Sequence, residues 1–116
     1  MRIRHCLMGA AAALAVATAS AHHGWSSYDV SKTVKIEAPL VDVQYRNPHA
    51  EATIDYQGAQ WNVVLAPVSR MESRGLPKDS LAAGKVVSIE GYPRSDGTHE
   101  LRAERITLDG KTVELR

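Results

Sequence analysis

The chain has 116 residues, with 14 Lys and Arg against 13 Asp and Glu and a formal net charge of +1 when histidines are neutral. That length is room for one domain, and a near-even balance excludes the strongly basic footprint by which nucleic-acid binders are recognised. One cysteine, Cys6, excludes an internal disulfide.

Residues 1–21 read as a cleavable signal helix. Arg2 and Arg4 form a basic start, residues 7–19 are uncharged and rich in Ala and Leu, and Ala19-Ser20-Ala21 gives the small-x-small pattern read by signal peptidases. Ala17-Thr18-Ala19 is a second such pattern, whose use would leave Ser20 first. The apolar run falls short of the roughly 20 residues a membrane-crossing helix needs, so no span is expected after processing. Removing the leader takes Arg2, Arg4 and Cys6 with it, leaving 12 basic against 13 acidic residues, a net charge of −1. The expected compartment is the bacterial periplasm or the outside of the cell, and a domain there without disulfides must rely on its core.

Residues 22–32 form a polar lead-in segment, and the domain proper is expected over 33–116. Val34 and Ile36 alternate with Lys35 and Glu37, the strand period. The apolar phase slips at Ala38-Pro39, after which Val41, Val43 and Tyr45 carry the inward positions. Proline cannot donate to a ladder and belongs at a bulge or an edge, so the simplest expectation is one long, bent first strand. Asn47-Pro48 breaks the chain. Ala50, Ala52, Ile54 and Tyr56 form a half-buried second strand, residues 57–60 a hairpin connection, and Trp61, Val63 and Leu65 one face of a third strand. Residues 67–74 suit a short helix, with Pro67 in its first turn, Gly75 at its left-handed end, and Val68 and Met71 turned to the core. Gly84 opens a fourth strand whose inward members are expected to be Val86, Ile89 and Tyr92, with Val87 on the opposite face. Asp96-Gly97 marks a turn. Leu101 and Ala103 then alternate, slip near Glu104-Arg105 and resume at Ile106 and Leu108. Asp109-Gly110 closes a hairpin onto a short last strand with Val113 and Leu115 inward.

Five or six short strands with one helix between the third and fourth predict an all-β fold with one short helix. A long first strand able to pair on both sides makes it a small oligonucleotide/oligosaccharide-binding (OB)-like barrel. An antiparallel sandwich is the alternative.

Several short patterns recur in a known group. Ala21-His22-His23 stands at the mature start and Asn47-Pro48-His49 follows the first strand. Arg74-Gly75, Asp79-Ser80-Leu81, Gly84, Gly91-Tyr92-Pro93, Asp96-Gly97 and Leu108-Asp109-Gly110 come later. In these the mature chain resembles a family of small exported bacterial proteins of unknown function. The resemblance implies an OB-like periplasmic protein and supplies no activity. One departure is Ala38-Pro39, where that family carries a glycine and a small residue.

The histidines carry the sharpest chemistry. A mature protein beginning at His22 would offer an α-amine and an imidazole from one residue. A second imidazole from His49 or His23 would complete a three-nitrogen chelate of the histidine-brace type. Amine and imidazole nitrogens suit Cu(II), which heads the affinity order of first-row divalent ions. His99, beside the Asp96-Gly97 turn, is a weaker ligand candidate. A closed zinc site is disfavoured by the absence of mature cysteine and of paired His spacing. Trp25, Tyr45, Tyr56 and Trp61 are candidate aromatics for a ligand face, because OB barrels present ligands on strands two and three. No catalytic spacing is found. The expected function is exported, non-catalytic binding of a metal ion or small ligand, foremost Cu(II) through His22, His23 and His49. The alternative is a metal-free interaction or envelope-stress module that docks an envelope protein. Nucleic acid is not expected as a partner.

Overall fold

The computed structural model describes residues 27–116. The leader and residues 22–26, which include His22, His23 and Trp25, lie outside the described residues.

Six strands follow one another: β1 (Val34–Gln44), β2 (Glu51–Tyr56), β3 (Ala59–Val64), β4 (Val86–Pro93), β5 (Glu100–Leu108) and β6 (Lys111–Glu114). One helix, α1 (Val68–Ser73), and a 3-10 turn (Lys78–Ser80) lie between β3 and β4. The sheet order is β3-β2-β1-β4-β5-β6, and a parallel β3–β5 pairing closes the first five strands into a barrel. This is the OB-like architecture expected from the order of elements, with β6 added outside β5. β1 makes closure possible by pairing twice. Val34 to Pro39 run against β4, and Leu40 to Gln44 run against β2.

The bend in β1 falls later than the sequence suggests. Ile36, Ala38 and Leu40 all point inward, and the register shifts between Leu40 and Asp42. Val41, expected inside, is instead 40% exposed, whereas Val43 and Tyr45 pack against the core. The proline explains neither event. Pro39 occupies the last pair of the β1–β4 ladder and precedes the first pair of the β1–β2 ladder, where a missing amide proton interrupts neither. In the fourth strand Ile89 is buried as expected, but Val87 is buried and Val86 is 56% exposed, the reverse of the expected pair. Two adjacent valines, Val86 and Val87, with Ile89 two residues further on, leave the period ambiguous in sequence. The pairing of Ile89 with buried Ile36 and of Val86 with exposed Pro39 settles it.

The other elements follow their residues. Gln57-Gly58 and Asp109-Gly110 both have two successive positive φ angles, as tight two-residue hairpins require. Gly75 ends α1 with φ +85, and Met71 on its inner face is fully buried. β5 bulges at Glu104, whose carbonyl accepts from the Leu115 amide.

The barrel has two distinguishable ends. The helix end gathers the close of β1, the start of β2, the close of β3 and α1. The open end gathers the β2–β3 turn, the close of β4 and the start of β5.

Candidate functional site

The open end is built around a carboxylate. The chain enters the described structure as an extra strand-like segment alongside the end of β4. Tyr28 bridges to Arg94, the Asp29 amide donates to Pro93 O at 2.8 Å, and the Ser95 amide donates to Ser27 O at 3.0 Å. Tyr28 is only 4% exposed. Its hydroxyl donates to Glu100 Oε2 at 2.7 Å, while Asn62 Nδ2 donates to Oε1 at 3.2 Å and Arg94 Nη1 to Oε2 at 3.2 Å. The guanidiniums of Arg94 and Arg102 stand 5.7 and 5.9 Å from the centre of the Tyr28 ring. Burial and the acceptor at Glu100 push the Tyr28 phenol up to about 12. Burial alone would raise Glu100, but the donors from Tyr28, Asn62 and Arg94 outweigh it and hold the carboxyl below its usual range. The carboxylate thus ties four pieces of chain together: the lead-in, β3, the end of β4 and the start of β5. Buried Leu101 and Ala103 alternate with Glu100 and Arg102, which the sequence reading did not single out. It held no signal for Tyr28, the partner 72 residues away.

Beside this clasp, three aromatic rings close the barrel. Trp61 meets Tyr56 edge-on at 5.8 Å and is covered by the exposed ring of His99, stacked at 4.8 Å with 21° between planes. Tyr56 and Trp61 pack against the core from the inner side of β2 and β3, since Trp61 pairs with fully buried Ile54. Tyr45 does the same at the helix end and donates its hydroxyl to Leu76 O at 2.6 Å.

The outer surface of β2 and β3, where OB barrels take their ligands, is made of other residues. Glu51, Thr53 and Asp55 alternate with the inward set on β2, Gln60 and Asn62 on β3, and Asp42 and Gln44 flank them on β1. Those strand positions hold three carboxylates and no aromatic, with the Arg46 guanidinium at their edge donating to Gln44 Oε1 at 3.2 Å.

The candidate ligands divide between the ends. His49 is half-buried at the helix end, just before Ala50, whose amide donates to Ala66 O at 2.7 Å. His99 is at the open end, its carbonyl accepting from the Asn62 amide at 3.0 Å. Ala50 lies opposite Leu65 and His99 opposite Trp61. His49 lies one residue before the Ala50 level, so five residues separate the two histidine levels, about 17 Å at the rise of an extended strand. One ion cannot take both. Among the described residues no group of three or more His, Asp or Glu side chains stands close enough to hold a metal ion, and no helix is long and apolar enough to cross a membrane.

No curated protein matches the chain. A chain of the S. pombe Stn1–Ten1 complex is similar in fold, with a TM-score of 0.53 over 66% of this chain, at 20% identity; the match spans 57% of that chain. A family model of unknown function, DUF6152, matches residues 10–102, taking in the histidine motifs and the elements up to the start of β5, and the chain belongs to that family.

Proposed function

We propose that the chain is an exported, non-catalytic Cu(II)-binding protein of the periplasm whose metal site is assembled at the processed amino terminus. His22 supplies its amine and imidazole, and His23 lies next to it. The OB barrel supplies the third imidazole. The supporting observation is the direction of the lead-in segment. Read backwards from Asp29 to Ser27, it runs along the Pro93–Ser95 stretch toward the open end, the end that carries His99. Five residues from Ser27 reach at most about 17 Å, which covers the open end without crossing the barrel. His99 is therefore a better placed partner for His22 than His49. Stacking on Trp61 covers a face of the His99 ring and not its edge, where the nitrogens lie, so stacking and ligation are compatible.

Copper titration of protein beginning at His22 tests this. One Cu(II) should bind tightly, and one extra residue before His22 should weaken binding by about tenfold or more, since it removes a chelating amine. Equal affinity with the extra residue overturns the proposal. His99→Ala should weaken the site and His49→Ala should leave it unchanged; the reverse result would move the third ligand to the helix end.

A second reading, a metal-free interaction module, is favoured by the acidic surface of Asp42, Glu51 and Asp55 on the OB ligand face. Under that reading Asp55→Lys abolishes capture of a basic envelope partner. Unchanged capture by that variant counts against it.

A further inference from the structure

One carboxylate fastens two separate things at the open end. Glu100 Oε2 accepts from the Tyr28 hydroxyl and so holds the lead-in segment, while Oε1 accepts from Asn62 Nδ2 at 3.2 Å. The same Asn62 donates its amide to His99 O at 3.0 Å, so the residue before Glu100 is gripped by a donor to the Glu100 carboxylate. The Glu100 backbone is fixed as well. Its amide donates to Thr98 O at 2.8 Å, and its carbonyl accepts from the Arg94 amide at 3.2 Å. With its ring stacked on Trp61, His99 is held through its carbonyl, its following residue and one ring face.

The root of the amino-terminal arm is held by the same group. Tyr28 sits on Glu100, and the backbone on either side of it is tied to the Pro93–Ser95 stretch. The chain then turns sharply into β1. The Lys32 amide donates to Asp29 O at 3.1 Å and the Ser31 amide to Asp29 Oδ1 at 3.0 Å. With that turn formed and Tyr28 seated, the arm leaves the barrel from one fixed point. When the segment lifts, its anchors are lost together, and the separation of the arm from His99 is no longer set.

We propose that Tyr28 and Glu100 are positioning residues of the copper site: the closed clasp keeps the root of the arm beside His99, and Cu(II) joining His22 to His99 in turn keeps the clasp closed. This rests on the Cu(II) reading above and adds to it a coupling between the metal and the lead-in segment. The closed segment presents the terminus to His99 at a high effective concentration, and the lifted one does not. Linkage then requires that the factor by which His99 tightens the metal equal the factor by which the metal suppresses lifting. A coupling of ordinary size is about 5- to 150-fold.

Amide exchange with and without copper tests the coupling. Processed protein beginning at His22 is exchanged into deuterated water with or without one equivalent of Cu(II), then quenched and chelated before reading. The Asp29 and Ser95 amides should exchange about 5- to 150-fold more slowly with the metal, and the Val63 amide should not change. Protein with one extra residue before His22 should show no such protection. In titrations, His99→Ala should weaken Cu(II) binding by the factor of that protection, within about twofold. Tyr28→Ala, which removes ring and hydroxyl, should weaken Cu(II) binding when His99 is present and have no effect in the His99→Ala background, a non-additivity that a merely structural role would not give. Retained protection of Val63 and Ile89 confirms that each variant is folded, and the wild-type comparison needs no variant. Tight, amine-dependent binding with unchanged exchange at Asp29 and Ser95 overturns the coupling and leaves the Cu(II) reading standing. A His99→Ala titration that matches wild type, or a Tyr28→Ala effect that is the same in both backgrounds, also overturns the coupling. Binding that tolerates the extra residue overturns both.

Discussion

Tyr28→Phe isolates the bond that fastens the lead-in segment to the barrel. The substitution removes one oxygen and keeps the ring against Arg94 and Arg102. Glu100 keeps its donors from Asn62 and Arg94 and stays ionised. What is lost is a 2.7 Å hydrogen bond to a charged acceptor across 72 residues of sequence, worth about 1.5–3 kcal/mol. The segment can detach while the barrel stays folded, so a global melt is a poor readout. Amide exchange is a direct one. The Asp29 amide donates to Pro93 O and the Ser95 amide to Ser27 O, and both are freed only when the segment lifts. A weakening of that size speeds their exchange by roughly 10- to 150-fold. Amides of Val63 and Ile89, deep in the barrel, should not change. If Asp29 and Ser95 exchange within about threefold of the wild-type rate, a range well below one hydrogen bond, then Tyr28 and Glu100 do not hold the amino-terminal segment in place.

Two further outcomes follow from the same geometry. Gly91→Ala would set a Cβ 2.1 Å from Arg102 O and 2.9 Å from Ala103 Cα, both backbone atoms that cannot turn aside; the β4–β5 ladder must open, and a loss of about 3 kcal/mol in urea unfolding is expected. The acid limb of stability depends on Glu100, whose folded carboxyl titrates below its usual range because three donors outweigh burial. Its contribution is complete above the unfolded carboxyl value near 4.5 and disappears as pH falls through the lower folded value. Glu100→Gln should flatten the loss of stability below pH 4.5 in pH-dependent melts, and an unchanged acid limb would place the titration elsewhere.

The fold was largely legible because the strand period and the turn residues agreed. Ile54 and Val63 alternate cleanly, Gln57-Gly58 and Asp109-Gly110 tolerate the left-handed conformation, and Gly75 ends α1. The phase was misread where apolar residues run together, at Leu40-Val41 and at Val86-Val87, because only the partner strand decides which of two neighbours faces inward. The inward direction of Tyr45, Tyr56 and Trp61 is legible in the strand period, and it conflicts with their use as ligand-face aromatics. Trp61, Tyr56 and Tyr45 close the ends from inside, and the ligand face of β2 and β3 is left to Glu51, Asp55 and Asn62. The Glu100 clasp was illegible for a different reason. A carboxylate held by Tyr28, Asn62 and Arg94 is a meeting of distant segments, and no local pattern marks it.

The stack of His99 on Trp61 offers a way to follow the metal from inside the barrel. Cu(II) is paramagnetic and quenches indole emission at short range. Trp25 and Trp61 are the chain's two tryptophans, so Trp25→Phe leaves Trp61 as the sole emitter. With the rings 4.8 Å apart and nearly parallel, an ion on a His99 ring nitrogen lies directly beside the indole edge. An ion on His49 would lie about 17 Å further along the barrel, at the strand rise. Addition of one equivalent of Cu(II) to protein beginning at His22 should therefore quench Trp61 strongly. His49→Ala should preserve that response and His99→Ala should abolish most of it. Tight binding without quenching would mean that the metal sits away from the open end, and the lead-in segment would then have to turn back along the barrel against the direction in which Ser27, Tyr28 and Asp29 are held.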